Sequence, residues 1–286
     1  MAEIISGTAL AASIRSELKT ETAALKEQGI CPGLAVILVG DDPASQVYVR
    51  NKTKACEEIG FYHEQYNLPA EITEDQLLSL IDELNCSDKI HGILVQSPLP
   101  KGLNFKKMIE RISPDKDVDA FHPYNVGKIM IGDFEFLPCT PAGVMELIHR
   151  TGIDVAGKNC VVVGRSNIVG KPQAMLLLKE NGTVTVCHSQ TKDLAQITRN
   201  ADILVSAVGK AGIITGDMVR PGAVVIDVGM NRNAEGKLVG DVDFASVEPI
   251  AGFITPVPGG VGPMTITMLM KNTLTAAKKF GKKKNL

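Results

Sequence analysis

The chain has 286 residues, 44% of them hydrophobic and 22% charged, so it is an ordinary globular composition long enough for two domains and not a disordered one. A net charge of −2 with dispersed cations speaks against a nucleic-acid partner, and no apolar run approaches the roughly 18 residues of a membrane span. The start Met-Ala-Glu-Ile-Ile-Ser-Gly lacks the basic and apolar segments of a signal peptide. Cys31, Cys56, Cys86, Cys139, Cys160 and Cys187 form no C-x-x-C pair, so a cytosolic protein with reduced, mostly buried thiols is expected.

Leu10, Ile14, Leu18 and Leu25 recur at helical spacing before Gly29 and predict an opening amphipathic helix. A strand follows over 34–39, then a helix over 43–59 that stops at Gly60. A further helix is expected over 73–84 and a strand over 92–96, whereas 113–140 reads as connecting structure rich in Pro, Asp and Gly. A helix starts near Pro141. From Lys158 strands at 159–163, 183–187, 202–206 and 223–227 alternate with helices at 170–180 and 191–199. Their apolar, little-alternating strands predict a doubly wound parallel sheet covered on both faces. A last helix over 263–280 closes the chain, and the lysines 278, 279, 282, 283 and 284 read as a solvated helix end that suits its dipole. The architecture expected is α/β in two domains, 1–139 completed by 264–286, and a Rossmann-type 140–263.

Val161-Val-Val-Gly164-Arg165-Ser166-Asn-Ile-Val-Gly170-Lys-Pro172 is a strand-to-helix turn that aims backbone amides and a positive helix end at one point. It departs from G-x-G-x-x-G, because Ser166 stands at the middle glycine. Two readings stand, a tight connection without a ligand and a phosphate turn. The second strand ends in His188-Ser189-Gln190-Thr191-Lys192 with no acid to hold a ribose 2′-hydroxyl. Arg165 with Ser189 suits a 2′-phosphate instead, which favours NADP over NAD.

Tyr48 and Lys52 lie four residues apart on one face of the expected 43–59 helix. A partly buried lysine can exchange a proton near neutrality, while the plain alternative is a solvated Tyr and Lys. Gln96 ends an apolar strand, where open α/β sheets bind ligands. Asp115, Asp117 and Asp119 alternate without the spacing or glycine of a calcium loop, so no metal is expected and a carboxylate facing a heterocycle is the better functional reading. Thr255-Pro-Val-Pro258-Gly259-Gly260-Val-Gly-Pro-Met-Thr265 is a rigid turn, a ligand-contact loop, or both.

Together YVRNKTKAC (48–56), VQSPLP (95–100), DKDVDAFH (115–122), CTPAGVMELI (139–148), VVVGRSNIVGKP, TVTVCHSQT, ADILVSAVG, VIDVGMNR, GDVDF and TPVPGGVGPMT closely resemble the bifunctional methylenetetrahydrofolate dehydrogenase/methenyltetrahydrofolate cyclohydrolase family over essentially the whole chain. The resemblance implies a tetrahydrofolate-binding first domain, an NADP-binding Rossmann domain and a homodimer. It implies that Lys52 is the acid–base residue of the cyclohydrolase step and that Gln96 tunes it. Tyr48 would position the folate and Asp119 the pterin edge. Gly164, Arg165, Ser166, Ser189 and Met230 match cofactor contacts, and Pro258, Gly259 and Gly260 match a folate-side loop. Ser97 stands where the family usually has Leu, and Ala120 where it usually has Gly, which bears on affinity and rate. The alternatives are a dehydrogenase without cyclohydrolase activity, a shikimate-type NADP enzyme, and a silent NADP- or folate-binding protein.

Overall fold

The computed structural model describes residues 1–284, with side chains to residue 282. Residues 285 and 286 of the expected closing segment, and the side chains of Lys283 and Lys284, lie outside the described residues. In chain order the strands are β1 (Glu3–Ile4), β2 (Gly33–Val39), β3 (Tyr62–Leu68), β4 (Gly92–Val95), β5 (Asn159–Val163), β6 (Thr183–Cys187), β7 (Ile203–Ser206), β8 (Val224–Asp227), β9 (Asn231–Arg232), β10 (Leu238–Val239) and β11 (Phe253–Ile254). The helices are α1 (Gly7–Glu27), α2 (Pro43–Ile59), α3 (Glu74–Cys86), α4 (Phe105–Arg111), α5 (Pro123–Ile131), α6 (Cys139–Arg150), α7 (Gly170–Lys179), α8 (Leu194–Thr198), α9 (Phe244–Val247) and α10 (Val261–Lys284).

The chain divides into two compact units, Met1–Ala12 with Thr140–Thr265, and Ser13–Cys139 with the chain from Ile266 onward. The first twelve residues, expected with the N-terminal domain, join the later unit because Glu3 and Ile4 pair in parallel with Phe253 and Ile254.

In the unit built on 13–139, the parallel order β3-β2-β4 puts β2 in the middle. All seven residues of β2 are buried, as a strand covered on both faces requires. β3 escaped the sequence reading because Tyr-His-Glu-Gln-Tyr-Asn-Leu is an edge strand with no apolar run, and both Tyr62 and Tyr66 donate to Glu64. Asp42 caps α2 by accepting from the Ser45 amide at 2.7 Å, Pro43 opens the helix, and Gly60 at φ +86° stops it. A reciprocal Thr73–Gln76 capping box starts α3.

Two helices correct the reading of this half. Asn104 caps α4, and Arg111 of α4 holds Asp82 of α3 through bonds of 2.5 and 2.6 Å. Within the stretch read as connecting, His122 and Pro123 start α5 and Gly132 ends it. The lysines of α10 are also more than a solvated end. Lys278 reaches Glu21 of α1 at 2.5 Å, while Lys279 reaches Asp115 at 2.8 Å and also Glu135.

In the other unit six parallel strands run in the order β1-β11-β8-β7-β5-β6. The chain leaves β5 for β6 on one side and returns to β7 on the other, which makes the carboxyl ends of β5 and β7 the switch-point crevice. Val161, Val163, Leu204, Val225 and Ile254 are buried in its core. β6 differs from the expected doubly covered strand. It lies at the sheet edge with Thr183, Thr185 and Val186 exposed. The helix expected over 191–199 shrinks to Leu194–Thr198, because a tight turn over 188–191 precedes it.

Candidate active site

In the 13–139 unit, α2 and the end of β4 bring Lys52 and Gln96 together. Lys52 is 8% exposed, and its Nζ donates to Gln96 Oε1 at 2.8 Å. Gln96 is held at both ends. Its backbone amide donates to Ile37 of β2, extending the ladder past Val95, and its Nε2 donates to the Ser97 carbonyl at 2.8 Å. That anchor uses backbone, so Ser97 serves it as well as the family's usual Leu would.

Burial lowers the Lys52 pKa from the ordinary lysine value, against the pull of the Asp119 charge. Burial raises the Asp119 carboxyl, against Lys52 and a hydrogen bond with Cys139. The two shifts run toward each other, as in sites that pass protons near neutrality. Tyr48 is half-buried one turn before Lys52, and burial raises its phenol. Thus Tyr48 and Lys52 share a helix face, and Lys52, Gln96 and Asp119 form one cluster.

The loop that carries Asp119 is fixed by the acids on either side of it. Asp117 is buried and accepts from the amides of Phe121 (3.2 Å) and His122 (2.8 Å) and from Asn125 Nδ2 (2.8 Å). Asp115 pairs with Lys279. The three alternating acids therefore serve three different partners. Ala120 explains the family's usual glycine there, since its φ is +57° in the left-handed region.

Cys139 was not singled out by sequence reasoning beyond its place in the CTPAG motif. Burial, with Asp119 beside it, raises its thiol pKa well above the ordinary value, and the neutral thiol donates to the Val118 carbonyl at 3.4 Å. Asn272 of α10 donates to the same carbonyl at 2.8 Å and to that of Leu137 at 2.7 Å. Neither residue carries a local sequence signal, because their partners lie more than a hundred residues away in the chain for Asn272 and across a loop for Cys139.

In the six-stranded unit, Gly164, Arg165 and Ser166 form the turn between β5 and α7. Gly164 has φ +134°, and a Cβ there would stand 2.4 Å from the Ala207 carbonyl oxygen. A Cβ on Gly170 would stand 2.2 Å from the Gly164 carbonyl oxygen, so the turn closes only with glycine at both ends. Ser166 Oγ accepts from the amides of Val169 (3.1 Å) and Gly170 (3.3 Å), which braces the turn just ahead of α7. Arg165 is exposed. Ser189 sits exposed on the turn after β6, braced where the His188 amide donates to Thr191 Oγ1 at 2.8 Å. Met230 is 46% exposed after β8.

These features fit a dinucleotide phosphate. A glycine turn, the start of α7 and an exposed guanidinium lie at the switch-point crevice. Pro258, Gly259 and Gly260 precede α10, and the Gly259 carbonyl accepts from the Thr8 amide at 3.0 Å. A Cβ on Gly7 would stand 1.8 Å from the Gly260 carbonyl oxygen, so this loop is clamped to the start of α1.

Comparisons with known proteins cover nearly the whole chain. Residues 5–119 match the tetrahydrofolate dehydrogenase/cyclohydrolase catalytic domain, and 138–281 match the NAD(P)-binding domain of the same enzymes. The bifunctional protein FolD of Acidovorax sp. is 61% identical over 280 residues, spanning 98% of this chain and 99% of that one. That of Moorella thermoacetica is 61% identical over 278 residues, spanning 97% and 99%. Among solved structures, the bifunctional FolD enzyme of Campylobacter jejuni superposes with a TM-score of 0.95 at 52% identity, covering 98% of this chain and 99% of that one. The Trypanosoma brucei enzyme, solved with NADP cofactor and an inhibitor, gives 0.94 at 43% identity, covering 97% and 98%.

Proposed function

The chain belongs to the tetrahydrofolate dehydrogenase/cyclohydrolase family, and from that premise we propose how its own residues divide two reactions. It is an NADP-dependent methylenetetrahydrofolate dehydrogenase and methenyltetrahydrofolate cyclohydrolase. The first reaction removes a hydride from the methylene carbon of 5,10-methylenetetrahydrofolate and leaves the methenyl cation. The second adds water to that carbon and opens the ring to 10-formyltetrahydrofolate, releasing a proton.

Bound NADP⁺ supplies the hydride acceptor. On the protein side, Gly164, Ser166 and the start of α7 would receive its phosphates, Arg165 and Ser189 its 2′-phosphate, and Met230 would border it. Lys52 is the proposed base that takes the proton of the attacking water and returns it as the ring opens. The observation that carries this assignment is the buried Lys52 amino group held on Gln96 beside Asp119.

A charged Lys52 about 4 Å from the methenyl cation would cost about 4 kcal/mol at an effective dielectric near 20, so the lowered pKa favours the neutral amine when the cation forms. Asp119, on its braced loop, is the proposed acceptor for the pterin edge, and Tyr48 packs against the folate. Pro258, Gly259 and Gly260 form the proposed folate-side loop.

The test follows both products. Methylenetetrahydrofolate is incubated with NADP⁺ or NAD⁺, and NADPH formation and methenyl absorbance are recorded separately. Reduction of NADP⁺ with transient methenyl absorbance is expected. No reduction of either cofactor would overturn the dehydrogenase reading, and methenyl that persists at its spontaneous hydrolysis rate would overturn the cyclohydrolase one. A homodimer is proposed on the family resemblance, to be checked by light scattering, where the monomer mass would refute it. The cytosol is the proposed compartment, supported by six cysteines that remain free thiols. A fluorescent fusion found in a membrane or exported fraction would refute that.

A further inference from the structure

We propose that Asp241 is a positioning residue for the NADP site, a buried carboxylate that clamps the loops after β7 and β8 into the shape the cofactor meets. The inference rests on the NADP reading of the six-stranded unit.

Asp241 is fully buried, and both its oxygens are engaged. Oδ2 accepts from the Val208 amide at 2.7 Å, the Gly209 amide at 3.2 Å and Ser206 Oγ at 3.2 Å. Oδ1 accepts from the Lys210 amide at 2.9 Å and from Asn231 Nδ2 at 3.0 Å. These donors are backbone amides, a hydroxyl and a side-chain amide, not a cation. Three successive amides that converge on one point are an anion-binding nest. Here the protein fills that nest with its own carboxylate, so an anionic ligand is left the start of α7 as its site.

The loops so held are those that carry the cofactor-contact positions. Residues 208–210 follow Ala207, whose carbonyl backs directly onto Gly164. Asn231 follows Met230. One carboxylate therefore links the floor under the glycine turn to the loop bearing Met230, all at the carboxyl ends of β5, β7 and β8. Asp227 holds Asp241 from behind, accepting from the backbone amides of Gly229, Asp241 and Val242, each at 2.9 Å. The fit is tight enough that a Cβ on Gly229 would stand 2.3 Å from Asp241 Oδ1.

An amide at 241 would turn an NH₂ group toward donors and break part of the clamp. Because the cyclohydrolase step uses no nicotinamide, the enzyme supplies its own control for a merely structural effect. In Asp241→Asn, KM for NADP⁺ should rise about tenfold or more while cyclohydrolase turnover, measured on methenyltetrahydrofolate without cofactor, stays within about twofold of wild type. Asn231→Ala cuts only the link to the Met230 loop. It should raise KM for NADP⁺ about threefold or more, and it decides the matter if the Asp241 variant does not fold. An unchanged KM for NADP⁺ in a folded variant, or dehydrogenase and cyclohydrolase activities falling by the same factor, overturns the proposal. Failure of the wild-type enzyme to form NADPH would instead overturn the reading beneath it.

Discussion

The Lys52 cluster and the nucleotide turn are built on opposite plans. Around Lys52 the candidate groups are buried or half-buried side chains, with Lys52 bonded to Gln96 and the pKa values of Lys52 and Asp119 moved by desolvation. At the nucleotide turn they are backbone groups at Gly164 and Gly170 with exposed side chains at Arg165, Ser166 and Ser189. Proton transfer near neutrality needs a group whose charge burial has destabilised, whereas gripping a phosphate needs donors left open to it. The two reactions should therefore respond to different damage.

The sharpest break of that symmetry is Lys52→Met. Cyclohydrolase turnover should fall by about a hundredfold or more, with hydride transfer at least partly retained and the protein folded. Equal loss of both activities, read from the NADPH and methenyl signals, would count against the role of Lys52. Next in size is Asp117→Ala, which strands the amides of Phe121 and His122 and leaves the Asn125 side-chain amide only the Pro114 carbonyl. It should lower the unfolding free energy by about 3 kcal/mol in a urea titration, and a change under about 0.5 kcal/mol would show that the loop holds without it.

Arg165→Ala touches only the other plan. The NADP⁺ over NAD⁺ preference in kcat/KM should drop by about tenfold, as expected for a lost hydrogen bond to a charged group, with cyclohydrolase unchanged. An unaltered ratio removes Arg165 from the 2′-phosphate site.

The pH response separates the two sites more gently. Only the neutral Lys52 amine accepts a proton, so cyclohydrolase turnover should rise with pH through the lowered Lys52 pKa and level off below the ordinary value of 10.5. Between those two values the unfolded chain binds the proton that the folded one releases, so this group's contribution to stability also rises with pH. A pH profile of turnover without that limb, alongside a flat melting temperature, would show an unshifted lysine.

The smallest effect is expected at Ala120. Ala120→Gly relieves left-handed strain but frees the unfolded chain and removes a buried methyl, so stability should stay within about 1 kcal/mol. A larger gain by thermal melting would mean that the loop carrying Asp119 is strained in this chain.

Much of this was legible in the residues. Apolar runs such as Gly33–Val39 and Asn159–Val163 announced central parallel strands, and caps at Asp42 and Gly60 bounded the helix bearing Tyr48 and Lys52. Other strands were not legible. β3 has one strand neighbour and needs no continuous apolar run, and β1 and β11 are two residues long, too short for any period to show. The helix α5 hid in a Pro- and Gly-containing stretch whose proline and glycine are its start and stop.

By itself the sequence determined the chemistry at hand: an amine, an amide, three alternating carboxylates and a glycine turn without the acid that NAD requires. Only the tertiary structure decided which of those groups are perturbed and which merely brace. Asp115, Asp117 and Asp119 look alike in sequence, yet one pairs with Lys279, one collects loop amides, and one faces Lys52. The reason is physical. A pKa is set by the water removed and the charges brought near, and neighbours such as Gln96, Cys139 and Asn272 reach Lys52 and the Asp119 loop only once the chain has folded.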